Sequence, residues 1–296
     1  MNIYYSFDDN FQINNPIVTT GSFDGVHLGH KSIINRLNNL AKQCNGESVL
    51  ITFHPHPRKV LYPDTVGKEL FLIQSQKEKI HSLKKTGLKH LFIIEFTREF
   101  SQISSIDYVH NILYKKLNAK VVVVGFNHNF GHNREGNYQI LFELGQALNF
   151  WVEQLPSFEI EHESVSSTRI RKAIQYGEIQ RANACLDDHY FILGTLNKIK
   201  DIFFVHIEEE NKLLPPSGIY AVRITDGKAF SQKAIAVIKN FKETEKKYVE
   251  VYTNNEINYL LGKEIFINFF KEMKFCTNNE FPPLKPYYNK VLDWVY

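Results

Sequence analysis

Cysteine is scarce in this chain. The three present, Cys44, Cys185 and Cys276, are far apart and form no C-x-x-C pair. That excludes a disulfide scaffold and a cysteine-rich zinc site, and it fits a reducing compartment with structural thiols. No apolar run approaches the roughly 18 residues that a membrane span needs. The opening residues, MNIYYSFDDNFQINN, lack the basic and apolar regions of a secretory leader, so none is expected and the cytoplasm is the expected location. A net charge of +3 is too small to argue for a nucleic-acid partner. Neither a G-x-x-x-x-G-K-[ST] loop nor a G-x-G-x-x-G fingerprint occurs, and there is no internal repeat or low-complexity tract. What is present is ordinary globular material, 43% hydrophobic and 23% charged, so disorder is excluded. A length of 296 residues suggests two domains.

From Pro16 to about Leu186 the hydrophobic period alternates. Short apolar runs at 17–20, 48–53, 90–96 and 120–126 read as buried strands. Between them, Ile33, Ile34, Leu37, Leu40 and Ala41 share one helix face, as do Ile106, Val109, Ile112, Leu113 and Leu117. Ser104 with Asp107 three residues on resembles an N-cap, and a further helix is expected from Tyr138 to Leu148. Strands alternating with helices predict a Rossmann-like α/β domain with a parallel sheet covered on both faces, here bounded at 1–187. From 188 to 296 the runs FILGTL, DIFFVHI, GIYAVRI, AIAVI, KYVEVY and EIFINFF predict a small antiparallel β-barrel or sandwich. The proline-broken tail FPPLKPYYNKVLDWVY fits neither pattern.

The densest chemical signal is TTGSFDGVHLGHKSIINRL, residues 19–37. A buried strand ends at Thr20, the glycines Gly21, Gly25 and Gly29 follow, and an amphipathic helix opens near Gly29. Glycine lets backbone approach a ligand, and the free N–H groups at a helix start favour an anion. His27 and His30 stand at that mouth, able to donate hydrogen bonds to phosphate oxygens. A zinc pair is the competing reading, weakened by the lack of a nearby third ligand. A second cluster, SVSSTRIRKAIQYG at 164–177, places hydroxyls and two arginines at a helix start, with Ser166 or Ser167 as N-cap and Gly177 as the stop. The arginine fork suits polyphosphate because it bonds two oxygens at once. The bland reading is a capped helix with solvated arginines. Histidines such as His81, His90 and His110 read as surface residues.

Together these motifs resemble the H-x-G-H nucleotidyltransferases, and more narrowly the adenylyltransferase module of bacterial riboflavin kinase/FAD synthetases. The family's G-x-F-D-G-x-H-x-G-H is matched by Gly21, Phe23, Asp24, Gly25, His27, Gly29 and His30. Its T-F-x-P-H-P is matched by Thr52, Phe53, Pro55, His56 and Pro57. Its V-G-x-[DN]-F-x-F-G is matched by Val124, Gly125, Asn127, Phe130 and Gly131, with His128 replacing the first aromatic. Its S-S-T-x-x-R is matched by Ser166, Ser167, Thr168 and Arg171.

The resemblance implies transfer of AMP from ATP to FMN, giving FAD and pyrophosphate. It assigns His27, His30 and Arg171 to catalysis, and Gly21, Phe23, Asp24, Gly29, Ser167 and Thr168 to ATP. Phe53, Pro55, Pro57, Asn127 and Phe130 fall to FMN, although ordinary core packing is a fair alternative for the two phenylalanines. Mg²⁺ is expected with ATP, held mostly by the phosphates, with no protein ligand assigned. The implied partners are the small molecules ATP and FMN, with no nucleic acid and no membrane; the oligomeric state is left open.

In bifunctional relatives the second domain phosphorylates riboflavin through G-R and P-T-A-N elements after its first strand. Both are missing here, whereas Gly218, Ile219, Tyr220, Ala221 and Val222 retain the G-[VI]-Y-A-V strand. A later G-x-x-P-T-F segment is replaced by NFKETEKK. Glu250 falls near the family's catalytic glutamate, and its bland reading is a solvated strand residue. The expectation is therefore a single activity with a kinase-dead second domain. Alternatives are a bifunctional enzyme with drifted kinase motifs, a nucleotidyltransferase with another acceptor, and a non-catalytic flavin or nucleotide sensor.

Overall fold

The computed structural model of the protein describes residues 1–160, 163–240, 247–276 and 280–295. Most of the NFKETEKK replacement, residues 241–246, therefore lies outside the described residues. The chain divides into two compact units, Met1–Leu70 with Lys79–Val165, and Phe71–Glu78 with Ser166–Tyr296.

The first unit is built on six parallel strands. They are β1 (Asn2–Tyr4), β2 (Pro16–Thr20), β3 (Glu47–His54), β4 (His90–Glu95), β5 (Val121–Gly125) and β6 (Trp151–Leu155), in the order β1-β4-β3-β2-β5-β6. The helices are α1 (Leu28–Gln43), α2 (Pro57–Leu61), α4 (Ser105–Asp107) and α5 (Tyr138–Leu148), with the part of α3 (Gln76–Lys84) from Lys79 onward. A π-helical stretch, Tyr108–Lys116, continues α4. The strands read as continuous apolar runs because each buries both of its faces. On one side Ile17, Val121 and Val123 pack on Leu37, Leu40 and Ala41 of α1, while Leu50, Leu91 and Ile93 pack on Ile34 and Leu83. On the other, Val18, Ile51, Phe92 and Val122 pack on Val109, Ile112 and Leu141.

Capping sets the helix limits. Ser104 accepts from the backbone N–H of Asp107, as its spacing predicts, and Asn137 accepts from that of Ile140 at the head of α5. The short strands β7 (Glu159–Ile160) and β8 (Glu163–Ser164) pair with one another.

His90 corrects one expectation. It is buried rather than on the surface, because β4 lies between β1 and β3. Its ring sits between the Tyr4 hydroxyl, 3.2 Å from Nδ1, and the Glu47 carboxylate, 3.4 Å from Nε2.

The second unit opens with α6 (Ser167–Gln175) and α7 (Ile179–Leu186). Six antiparallel strands then close into a barrel: β9 (Phe191–Ile199), β10 (Ile202–His206), β11 (Gly218–Thr225), β12 (Ser231–Asn240), β13 (Lys247–Tyr252) and β14 (Glu264–Phe275). The unplaced tail forms α8 (Lys285–Trp294). Val291 and Val295 of the tail cluster with Ile219, Ala221, Ile235 and Val237 on alternate positions of β11 and β12. Those strands are therefore apolar on both faces.

The same packing corrects the reading of Glu250. It stands opposite Val237 on β13 and is 5% exposed, not solvated. Its carboxylate pairs with Lys239 at 2.7 Å and accepts from the Tyr252 hydroxyl at 2.6 Å. Segment 71–78 joins this unit through backbone bonds from Leu72 N–H to Asn211 and from Leu213 N–H to Leu72. Among the described residues no helix is long and apolar enough to cross a membrane, and all three cysteines are free thiols.

Candidate active site

β2 runs straight into the Gly21–His27 turn, and the Gly21 N–H donates to Ile51 across the top of the sheet. The turn bends by left-handed backbone at Phe23 (φ 47°), Gly25 (φ 92°) and Val26 (φ 35°). Only the glycine adopts that region freely. For a β-branched valine it is an outlier that persists only where the surroundings hold it, a common mark of a functional site. His27 is the N-cap of α1, its Nδ1 accepting from the His30 N–H at 3.4 Å.

The two histidine rings lie face to face, with centroids 3.7 Å apart, and Phe23 covers the other face of His30 at 4.3 Å. Phe23 and Asp24 are themselves buried, so Phe23 acts as a platform under His30. Nδ1 of His30 is buried and has no hydrogen-bond partner among the described residues. Burial, then the neighbouring His27, then Lys79 hold its pKa well below the usual imidazole value. A neutral imidazole at a helix start, where the positive end of the dipole lies, is suited to an incoming phosphate anion.

Three further residues meet this turn; Thr52 belongs to the T-F-x-P-H-P match, whereas no motif announces Lys79 or Tyr108. Lys79 of α3 donates from Nζ to the Ser22 carbonyl at 2.7 Å, and Thr52 of β3 donates to the same oxygen at 3.1 Å. Tyr108, buried at the start of the π-helical stretch, donates its hydroxyl to Thr20 Oγ1 at 3.0 Å. Non-α helical turns are frequent at functional sites.

Around the carboxyl ends of β3, β4 and β5 the aromatic rings form a connected run. Phe53 touches Phe96 and Phe100 at 5.5 Å each, Phe100 meets Tyr108, Tyr108 meets Phe130 at 5.9 Å, and Phe130 stacks on His128 at 5.7 Å. The structure thus brings together Phe53 and Phe130, distant in sequence, on one half-buried surface. Loop geometry holds Phe130 there through paired backbone bonds with Gly136. Gly131 (φ 73°) passes so close to Ser105 that a Cβ would lie 2.6 Å from its backbone nitrogen. Asn127 is exposed beside this run, and its carbonyl accepts from Asn129. Pro55 is exposed, whereas Pro57 opens α2 behind the cap His56.

The second cluster lies in the other unit. Ser166 is the N-cap of α6, its hydroxyl accepting from the Arg169 N–H at 3.3 Å. Ile170, Ala173 and Ile174 are buried, as their spacing predicts, and Gly177 (φ 74°) follows the helix end. Ser167 is half-buried and Thr168 exposed at the first turn, while Arg171 Nε donates to the Phe71 carbonyl at 3.1 Å. Among the described residues no group of three or more histidine, cysteine or carboxylate side chains is placed to hold a metal ion.

Burial also pushes the pKa of His128 down to about 4 and lowers that of His90. With His30, three imidazoles are thus held neutral in the folded protein. In the unfolded chain each titrates near ~6.5. Between that value and the lowered ones the unfolded chain binds more protons, so stability falls as pH drops from 7 toward 5. The urea midpoint is expected to fall accordingly. The His128→Phe variant should recover on the order of 1–2 kcal/mol of the loss at pH 5. An unchanged pH slope in that variant would overturn the assignment.

Residues 10–169 match the family model of FAD synthetase. A bifunctional riboflavin kinase/FMN adenylyltransferase of Buchnera aphidicola from Acyrthosiphon pisum is 28% identical, covering 94% of this chain and 90% of its own. That of Buchnera from Schizaphis graminum is 30% identical, covering 88% and 86%. A protein named FAD synthetase from Listeria monocytogenes is 32% identical over 60% of this chain and 71% of its own. Among solved structures, one described as a macrolide-efflux protein from Streptococcus pneumoniae superposes with a TM-score of 0.82 at 21% identity. It covers 99% of this chain and 96% of its own, a likeness of fold.

Proposed function

Because this chain belongs to the FAD synthetase family, we infer that it transfers AMP from ATP to FMN, releasing pyrophosphate and forming FAD. The observation that carries the reading is the stacked His27–His30 pair at the head of α1, with the aromatic run of Phe53, Tyr108 and Phe130 in the same unit. In this reaction the FMN phosphate attacks the α-phosphorus of ATP directly, so the protein supplies no nucleophile. Its work is to position the two phosphates and to stabilise charge on the transferring and departing groups.

His27 and His30 are assigned to the α-phosphate and the leaving side. Arg171, with Ser167 and Thr168 at the first turn of α6, is assigned to the triphosphate. Gly21 and Gly29 leave room for the nucleotide, and Phe23 and Asp24 shape the turn. Residues 1–187 would carry the transfer. Mg²⁺ is read as arriving on the phosphates of ATP, where it neutralises charge.

Phe53 and Phe130 would flank the isoalloxazine, with Pro55 and Pro57 at its edge and Asn127 hydrogen-bonding the FMN. Replacing Asn127 with alanine is expected to raise KM for FMN about tenfold with a smaller change in kcat. Steady-state kinetics at saturating ATP check this, and an unchanged KM would remove Asn127 from the FMN site.

The second part of the reading is that residues 188–296 have lost riboflavin kinase activity. The missing G-R and P-T-A-N elements support it, as does the engagement of Glu250 by Lys239 and Tyr252. The relatives that align with both units are named as bifunctional, which favours a second reading in which the kinase persists. Chromatography of flavins after incubation with Mg²⁺-ATP separates the two. FAD from FMN with riboflavin untouched supports the single activity, FMN from riboflavin establishes the bifunctional enzyme, and no product from either refutes both.

A further inference from the structure

The left-handed turn between Thr20 and His27 needs something outside itself to hold it, since Phe23 and Val26 adopt backbone angles that favour glycine. Its fixed point is the Ser22 carbonyl, which accepts from Lys79 Nζ and from Thr52 Oγ1. Lys79 comes from α3, 57 residues further along the chain than Ser22, and is only 8% exposed. Within the turn, Asp24 is 1% exposed. A deeply buried ammonium is costly unless its charge and its N–H groups are used.

We propose that Lys79 is a positioning residue for the transfer reaction, fixing the Ser22 carbonyl and countering the buried Asp24 so that the turn presents His27 and His30 at the head of α1. Two effects follow. The hydrogen bond sets the shape of the turn, and the positive charge acts on the groups around it. Burial lowers the pKa of Lys79, and Asp24 opposes that shift by favouring the charged ammonium; at His30, burial, then His27, then Lys79 disfavour protonation. His30 therefore stays neutral until phosphate charge arrives to offset the lysine.

The kinetic part of this proposal rests on the adenylyl-transfer reading; the titration part does not. The experiment uses the full chain with Lys79→Met, Lys79→Gln and Lys79→Arg. Glutamine can keep a bond to Ser22 but loses the charge, and arginine keeps both. The His30 midpoint is followed by NMR on ¹⁵N-histidine-labelled protein without substrate, its resonance assigned by loss in His30→Gln.

Lys79→Met and Lys79→Gln are expected to raise the His30 midpoint by about half a pH unit or more. FAD-forming kcat should fall about tenfold in Lys79→Gln and further in Lys79→Met, with KM for FMN changing less. Lys79→Arg should restore most of both. If the Met variant does not fold, the comparison of Gln with Arg decides. A His30 midpoint and kcat in Lys79→Gln equal to those of the parent would overturn the proposal. If the parent makes no FAD, the functional reading fails, and the His30 midpoints still judge Lys79.

Discussion

Turnover of FAD formation is expected to fall by about 10²–10³-fold when His30 is replaced by alanine, with KM for ATP and FMN little changed. The reason lies in where the ring sits. His30 is clamped between Phe23 and His27, its orientation fixed before any ligand arrives, and its buried Nδ1 has no competing partner among the described residues. A donor held in this way gives little to ground-state binding and most where charge grows on the phosphates. Truncation should thus appear in kcat rather than in KM. The fold should survive, because Phe23 and the cap His27 remain, and a thermal melt within a few degrees of the parent would verify that. Single-turnover kinetics with FMN and Mg²⁺-ATP read the chemical step. Parent-like turnover in His30→Ala would remove the histidine pair from the phosphate site.

The largest effect on stability should come from a residue with no catalytic assignment. Lys212 and Glu78 form an ion pair at 2.7 Å, with side-chain exposures of 1% and 0%. Lys212 also donates to the carbonyls of Ile73 and Phe191, and its ammonium lies 4.6 Å from the Tyr190 ring centroid. Glu78 in turn accepts from the backbone N–H groups of Ser75 and Leu193. Lys212→Met leaves a carboxylate buried without its cation and is expected to cost about 3–5 kcal/mol. Urea unfolding measures it. Adding Glu78→Gln removes the stranded charge and keeps an acceptor for one of the two N–H groups, which bond to different carboxylate oxygens, and should recover part of the loss. A cost below about 1 kcal/mol for Lys212→Met would mean that water or a rearranged partner reaches the site. The pair ties segment 71–78 to the barrel strand β9, so its loss should be felt by that unit first.

Elements with a strong internal period were readable in the sequence. The apolar runs at 17–20, 48–53, 90–96 and 120–126 became β2 to β5, because buried parallel strands carry side chains that are apolar on both faces. Helix α5 spans Tyr138–Leu148, the limits its period implies. Six β-rich runs became a closed barrel. What escaped were elements whose signal is short or supplied by neighbours. β1 has three residues, β6 exposes Trp151 at its start, and α8 is stable because Val291 and Val295 find an apolar wall on β11 and β12. His90 and Glu250 were misread for the same reason. A polar residue on a strand reads as solvated until one knows what covers that face.

The sequence by itself determined the chemistry offered at the head of α1. The glycines, the two histidines and the amphipathic helix are local, and their roles follow from backbone freedom and from hydrogen-bond donors at a helix start. Tertiary structure alone decided which distant residues serve that turn. Lys79 lies in KEKIHSLKK, a run in which nothing local separates it from Lys77, which pairs with Glu208 and Glu264 instead. The two lysines differ because neighbouring positions on a helix point in different directions, so packing buries one ammonium against Ser22 and leaves the other in solvent. Burial, and with it the strength of every charge and hydrogen bond at the site, is a property of what surrounds a residue in space, and no period along the chain encodes it.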